Sequence, residues 1–249
     1  MNRLIRTELL KQRTLRTFVA GIAVVPVITG LVAIAILTSA GKDGNEPLSL
    51  DTLTQIIGGP TAVITLVAFL LGVLGMAGET RHQTITTTFL ATPRRRNVVV
   101  AKLAAHAVTG ALIGGLSIAI SAAIAVPWLH ASGIDIQVTG DCVRVAAGLV
   151  ASTALYGALG VAVGAIFRNQ TVAVAVGLTW LLAVEGLIGD LLHDAAFVHW
   201  LPAAAGRALV HIGARGDNLP VPVAAGVFVL YVAAFAATGA RLTVHRDIT

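Results

Sequence analysis

The most chemically varied stretch of the sequence is residues 78–102, GETRHQTITTTFLATPRRRNVVVAK. It contains an acid at Glu79, a threonine-rich turn, and three consecutive arginines directly after Pro93. Ile85 and Phe89 are four residues apart and share one face of a short surface helix, which Pro93 should end. The arginines would anchor this connection to anionic lipid headgroups, and the acid and threonines suit contact with a protein partner.

Glu185 and His106 are ionisable residues inside otherwise apolar runs. Such a group costs about 2.5 to 3.5 kcal/mol on insertion scales and usually faces the interior of a helix bundle. Two interpretations of Glu185 stay open. It lines a substrate path or pairs across a dimer, or it is protonated or hydrogen-bonded within its own subunit. His106 is predicted to be a hydrogen-bonded packing residue.

Neither a metal site nor a catalytic site is predicted. The spacing of His193, Asp194 and His199 fits no ligand pattern. Ser117 has no histidine base within reach, because His106 lies eleven residues away on the same predicted helix, about 16 Å along its axis. We therefore expect neither a metal centre at these residues nor serine-protease chemistry at Ser117.

The elements that carry these residues are predicted to be membrane-spanning helices. Hydrophobic residues make up 56% of the 249-residue chain and charged residues only 12%, whereas soluble domains carry about 25% charged residues. That composition excludes a water-soluble globule. The basic residues lie in short clusters beside apolar runs, so the net charge of +5 indicates helix orientation and not nucleic-acid binding. The single Cys142 cannot form an intrachain disulfide.

A transmembrane helix needs about 20 apolar residues, and six runs of that size are present. They are predicted at residues 18–40, 57–78, 98–126, 143–167, 171–192 and 219–240. The sequence therefore predicts an all-α integral membrane protein with one transmembrane domain over residues 1–249, in which residues 1–17 form an interfacial segment.

The distribution of basic residues predicts the orientation. Thirteen of the 17 Lys and Arg residues lie on the side of the first 17 residues, so the positive-inside rule puts both termini in the cytoplasm. Residues 195–214 are apolar but interrupted by His199, Pro202, Arg207 and His211. We predict that they form an external lid or re-entrant segment between the fifth and sixth helices, with a seventh span as the alternative.

Several motifs together resemble a known family. The Gly-Glu-x-Arg-His-x-Thr opening from Gly78, the Thr-Pro-Arg-Arg that follows, and the lysine that starts the next span resemble the permease subunits of bacterial type-2 ATP-binding-cassette exporters. Residues 7–11, TELLK, are similar to the family's N-terminal elbow helix. Residues 166–171, IFRNQT, resemble its cytoplasmic turn before the fifth helix, and residues 200–202, WLP, its external segment. The apolar residues Leu4, Ile5, Leu9 and Leu10, however, do not form one apolar face.

The resemblance implies a transport subunit of the bacterial plasma membrane that pairs with a second permease copy or a paralogue. Such a subunit is not itself an enzyme and carries no cofactor on its own chain. The resemblance also implies an ABC ATPase partner that binds ATP and Mg, because the GxxxxGK[ST] signature is absent from this sequence. The implied ATPase-coupling residues are Glu79, Arg81, Thr84, Phe89, Pro93, Arg94 and Arg95, and the cytoplasmic turn contains Arg168 and Asn169. Glu79 and Arg81 are expected to contact the ATPase.

A secondary transporter or channel that is not driven by ATP is the alternative function. Ser117, Ser121, Ser152 and Thr153 lie within the predicted spans and could line any polar pathway. Secondary carriers usually contain internal repeats with interrupted helices at matching positions, and no convincing repeat relates the two halves of this chain.

Overall fold

The computed structural model describes residues 1–42, 47–49, 51–81, 95–167, 169–192, 195–210 and 219–245. These residues form helices joined by short turns, and no strand occurs among them. The α-helices are α1 (Asn2–Thr14), α2 (Arg16–Ser39), α3 (Thr52–Gly58), α4 (Thr61–Arg81), α5 (Arg95–Ala131), α6 (Gly140–Ile166), α7 (Gln170–Thr179), α8 (Glu185–Leu191), α9 (Pro202–Val210) and α10 (Val221–His245). A π-helical turn (Trp180–Val184) joins α7 to α8, and a 3₁₀ helix (Ala196–Trp200) precedes α9.

Six helical segments of the described chain are long and apolar enough to cross a membrane, which confirms the predicted number of spans. They are Arg16–Ser39, Thr52–Glu79, Arg96–Ala131, Gly140–Ile166, Gln170–Leu191 and Val221–Leu242. The third span extends five residues beyond the predicted end at residue 126, through Pro127. The fifth span is one uninterrupted helical segment, but its middle part is π-helical and not α-helical.

α6 is the central helix of the bundle, and α4, α5 and α10 pack against it. Close approach is possible because glycines lie at the crossings. A side chain at Gly160 would collide with the backbone carbonyl of Phe69 in α4, and one at Gly110 in α5 would collide with the carbonyl of Thr153 in α6. Small residues at these positions let the helices pack backbone to backbone, as is usual in membranes.

The outer helices present apolar side chains to the surroundings. Leu31 in α2, Leu182 in the fifth span and Leu230 in α10 are each more than 60% exposed. In water such a surface would be unstable, but lipid tails solvate it at little cost. The core forms where α3, α4, α6, α9 and α10 meet, and Phe69, Leu149 and Phe228 are buried there.

Two short helices follow the fifth span. The 3₁₀ helix has 5 residues and α9 has 9, whereas about 20 residues are needed to cross a bilayer. α9 packs against α6 and α10, and seven of its nine residues are buried. The described residues of the 195–214 stretch therefore form part of the bundle wall.

Candidate functional site

The connection between the second and third spans carries most of the predicted coupling residues. Thr84, Phe89, Pro93 and Arg94 lie outside the described residues, as does Arg168 in the later turn. Arg81 ends α4 and Arg95 begins α5, but their side chains are outside the described part. The structure therefore places Glu79 and the two helix ends that flank the connection.

The Glu79 carboxylate contacts two lysines from other helices. Its Oε1 atom lies 2.8 Å from the Lys102 Nζ atom in α5 and 3.1 Å from the Lys11 Nζ atom in α1. Its side chain is mostly buried, with 15% exposed. The prediction that Glu79 touches an ATPase stays a prediction, and the structure gives this carboxylate partners within its own chain.

Glu8 completes a cluster of two carboxylates and two amines. Its Oε2 atom lies 2.7 Å from the Lys102 Nζ atom, and its Oε1 atom lies 2.8 Å from the Lys11 Nζ atom. Each lysine therefore bridges both acids. We call Glu8, Lys11, Glu79 and Lys102 the ionic cluster; its formal charges cancel, and it joins α1, α4 and α5 at one end of the bundle, which we call the α1 end.

Lys102 is the most buried member of the ionic cluster, with 1% of its side chain exposed. Removing an ammonium group from water costs several kcal/mol, and only good geometry with nearby opposite charges compensates for that cost. The ammonium group also donates to the backbone carbonyl of Gly75, at 3.2 Å. Three oxygens from three residues thus occupy the three donors of the Lys102 amine.

The protonation equilibria of α1 reflect these contacts. Burial opposes the ionisation of Glu8, but the charge of Lys102 and the hydrogen bonds from Lys102 and Lys11 outweigh it, so the pKa of Glu8 is lowered. Burial likewise disfavours the charged form of Lys11, yet its hydrogen bond to Glu8 and the charge of Glu79 raise its pKa. Both shifts favour the charged forms over the physiological pH range.

A second set of polar contacts continues from the ionic cluster into the bundle. The His106 Nδ1 atom lies 2.8 Å from the carbonyl oxygen of Lys102 and 3.2 Å from the Gln12 Nε2 atom. Thr109 donates a hydrogen bond to the Gln12 side-chain oxygen. The His106 ring also packs edge-on against Phe18, with centroids 5.5 Å apart. These contacts confirm that His106 is a hydrogen-bonded packing residue.

A cavity of about 410 Å³ lies beside the ionic cluster. Its walls come from α1, the start of α2, the end of α4 and the start of α5, and Gln170 at the start of α7 also contributes. Five helices that begin or end at the α1 end therefore meet around one partly polar space. The arrangement holds α1 against the end of α4 and the start of α5.

Asn169 has a local structural role. Its Oδ1 atom accepts hydrogen bonds from the backbone N–H groups of Thr171 and Val172, at 2.9 and 3.3 Å. Asparagine is a preferred N-cap, since it satisfies N–H groups that lack a partner in the first helical turn. Asn169 therefore begins α7 sharply after the short turn that follows α6.

Glu185 lies toward the opposite end of the bundle and is buried, with 2% exposed. Its Oε1 atom accepts a hydrogen bond from the Trp180 indole N–H at 2.8 Å, and its Oε2 atom accepts one from the Ala203 backbone N–H at 2.7 Å. Glu185 is thus hydrogen-bonded within its own subunit, as one of the two interpretations predicts. Its assignment to a substrate path stays a prediction.

The polar residues that supported a generic pathway are bonded inside the bundle. Ser117 and Thr29 share a hydrogen bond of 3.0 Å, and Ser121 donates to the carbonyl of Ile56 at 3.3 Å. Thr153 donates to the carbonyl of Leu149 in its own helix at 2.8 Å. Because these side chains are buried and hydrogen-bonded inside the bundle, they act as packing residues between and within the helices.

The pairing of the ionic cluster is the main feature that sequence reasoning missed. Lys102 lies within a predicted span, and a buried lysine requires a nearby acid. Glu8 and Glu79 are acids on the same predicted side of the membrane, so the signal was present. The signal does not identify the pairing, because residues 8, 79 and 102 are far apart in sequence and no local pattern links them.

Comparison with known families gives one match. A model described as "ABC-2 family transporter protein" matches residues 4–186, which is more than two thirds of the chain. The matched segment begins in α1 and ends just after Glu185, so it contains the ionic cluster, the first four spans and most of the fifth. No curated protein matched the chain.

Proposed function

This chain belongs to the ABC-2 transporter family, and we propose that it is the permease subunit of an ATP-driven exporter in a bacterial plasma membrane. The family and the six apolar helices make it a multi-pass membrane component of a transporter. Export, the separate ATPase that binds ATP and Mg, and a second permease copy or paralogue are parts of the proposal.

The ionic cluster is the observation that carries the proposal. A movement of the connection between the second and third spans can displace the bundle only if the helices at its two ends are firmly joined to each other and to their neighbours. Here the contact between Glu79 and Lys102 joins the helices on both sides of the connection, and Glu8 and Lys11 add α1 to the same unit. A displacement of the connection would therefore move α1, α4 and α5 together.

Within this proposal the coupling residues have two roles. Glu79 holds the base of the connection in position, because its carboxylate is engaged with Lys11 and Lys102. Arg81 and Arg95 flank the connection, and together with Thr84, Phe89, Pro93 and Arg94 they are the proposed contact surface for the ATPase. Closure of the ATPase on ATP would then shift the spans around a central path.

The proposed topology follows the distribution of charge. The α1 end faces the cytoplasm, where the positive-inside rule puts most basic residues, and the end that carries α9 faces the exterior. α1 then lies along the cytoplasmic surface of the membrane as an elbow helix. Residues 195–214 form a re-entrant external segment, and Glu185 lies in the outer half of the fifth span beside the exit path.

Affinity purification of the chain from its native membrane tests the proposal. We expect an ATPase to co-purify and the complex to hydrolyse ATP. Recovery of the permease without an ATPase, under conditions that preserve other ABC complexes, would favour a transporter or channel that is not driven by ATP.

Replacing Glu79 tests the role of the ionic cluster in coupling. Glu79→Gln removes the charge that pairs with both lysines, so we expect retention of the ATPase to fall about tenfold, equivalent to about 1.4 kcal/mol, while the amount of permease in the membrane stays unchanged. Asp141→Asn is the matched control, since Asp141 is an exposed acid at the start of α6. Equal ATPase retention in the two variants would show that Glu79 has no part in coupling.

A further inference from the structure

A cavity of about 560 Å³ lies at the end of the bundle opposite α1. It is lined by the second, fourth and fifth spans and by α9, and it is partly open to the surroundings. Thr54, Ser152 and Tyr156 bring hydroxyl groups to its walls, and Arg207 brings a positive charge; the remaining described walls are mainly apolar. A cavity of this size is within the range that holds small molecules.

α9 forms one wall of this cavity with a single face. Ala203, Gly206, Arg207 and Val210 line the cavity, and their i, i+3, i+4, i+7 spacing puts them on one side of the helix. Gly206 lets α9 approach closely, since a side chain there would meet the Tyr156 ring at 2.8 Å. A small displacement of α9 would therefore change the size and the access of the cavity directly.

The Glu185 carboxylate fastens the beginning of α9 to the fifth span. Ala203, whose N–H donates to the carboxylate at 2.7 Å, is the second residue of α9. The first N–H groups of a helix have no partner within the helix, and the positive end of the helix dipole favours an anion there. Ser152 also donates a hydrogen bond to the Gly206 carbonyl of α9, but that contact is long at 3.4 Å.

The fifth span changes helical type directly before this attachment. Trp180–Val184 is a π-helical turn, and Glu185 is the next residue. A π-turn holds one extra residue compared with an α-helix, so moving it along the helix rotates the residues it passes by about 100°. Trp180 and Glu185 are hydrogen-bonded across the turn, and a rotation of this size would carry the carboxylate away from Ala203.

We propose that Glu185 is a positioning residue that holds α9 against the fifth span and keeps the cavity narrow, and that rearrangement of the π-helical turn releases α9 and widens the cavity. This inference rests on the proposed exporter function, in which the cavity is part of the outward path. The movement of the fifth span and access to the cavity then become one event, and the carboxylate is the link between them.

Cysteine labelling in the permease–ATPase complex tests this inference. In a Cys142→Ala background, Thr54→Cys puts a reporter on the cavity wall, where the native side chain is 6% exposed. A membrane-impermeant maleimide is added from the side on which α3 begins. With Glu185 present we expect slow labelling. Glu185→Gln should label about tenfold faster, since an amide cannot accept from both donors and presents an N–H to one of them.

Two controls separate widening of the cavity from general loosening. Asp190→Asn makes the same chemical change at an exposed acid of α8 and should not alter labelling. Thr29→Cys reports on the buried contact between α2 and α5 and should stay unreactive in Glu185→Gln. Unchanged labelling of Thr54→Cys would overturn the proposal, and so would equal gains at both reporters, because Glu185 would then only stabilise the bundle.

Nucleotide dependence separates this inference from the proposed function. In the chain with Glu185, addition of ATP should change the labelling rate of Thr54→Cys, and in Glu185→Gln the rate should be high with or without ATP. If Glu185→Gln widens the cavity but ATP has no effect on the chain with Glu185, the attachment of α9 is supported and the ATP-driven function is not. If ATP changes labelling equally in both, the role of Glu185 is refuted and the exporter function is retained.

Discussion

The two ends of the bundle stabilise buried charge in different ways. At the α1 end, the ammonium group of Lys102 is balanced by the carboxylates of Glu8 and Glu79, at 2.7 and 2.8 Å. At the opposite end, the carboxylate of Glu185 accepts hydrogen bonds from the N–H groups of Trp180 and Ala203, and the positive charge of Arg207 also acts on it. One site joins three helices through ion pairs, and the other joins two segments mainly through hydrogen bonds from N–H groups.

This difference suits different mechanical roles. Charged pairs at low exposure are costly to separate, because each partner would be left as an uncompensated ion. Hydrogen bonds to neutral N–H groups can be exchanged for other donors at a lower cost. We therefore expect the α1 end to move as one unit and α9 at the opposite end to detach more easily.

The largest effect should come from removing the ammonium group of Lys102. Lys102→Met removes the ammonium group that both Glu8 and Glu79 contact, and loss of one partner of a buried ion pair costs about 3–5 kcal/mol. Thermal unfolding of the detergent-purified protein measures the loss. Arg96→Met is the matched control, an exposed cation on the same helix. If both variants were equally stable, the α1 end would not depend on its charges.

A smaller effect should appear in the dependence of stability on pH. The pKa of Glu8 is lowered from 4.5, so its contribution is present above about pH 4.5 and is lost as the pH falls through the lowered folded-state value. The pKa of Lys11 is raised from 10.5, so its contribution is present below about pH 10.5 and is lost above the raised value. Melting temperatures measured from neutral to acidic pH should fall less steeply in Glu8→Gln. An identical slope in the two proteins would contradict the pairing of Glu8.

The smallest effect should come from Gln12, the neutral neighbour of the ionic cluster. Gln12→Leu removes its contacts with His106 and Thr109, and a neutral hydrogen bond contributes about 1 kcal/mol. Hydrogen exchange of the α1 amides should become faster while exchange in α6 is unchanged. Arg13→Leu, at the exposed neighbouring position, should leave exchange in α1 as it was. Equal acceleration in both variants would mean that Gln12 does not fix α1.

The spans could be predicted from the sequence because their signal is local. Length and hydropathy alone identify an apolar helix, and the six predicted runs correspond to the six helices that the structure contains. The beginning of α7 was also accessible, since Asn169 is a typical N-cap beside an apolar run. The π-helical turn at Trp180–Val184 has no such local signature, and Glu185, the residue that follows it, bonds to a segment that begins 17 residues later.

α1 shows why an amphipathic pattern can mislead. Its apolar residues do not form one face, and the side chains it buries most are the polar ones of Glu8 and Gln12, at 6% and 7% exposed. They are four residues apart and so lie on one face. α1 docks through charge and hydrogen bonds, and a search for an apolar face could not detect that. The residues that Glu8 and Gln12 contact are Lys102, His106 and Thr109. They lie 94 or more residues away in the sequence, so no local pattern can reveal these contacts.

The position of Lys102 in the chain also bears on how the protein is made. A lysine in an emerging span is costly to insert when no counter-charge is near. Glu8 and Glu79 both precede Lys102 in the sequence, so synthesis delivers the two carboxylates first. The third span is thus the first that can complete the ionic cluster, and its arrival fixes an N-terminal helix that was made about a hundred residues earlier.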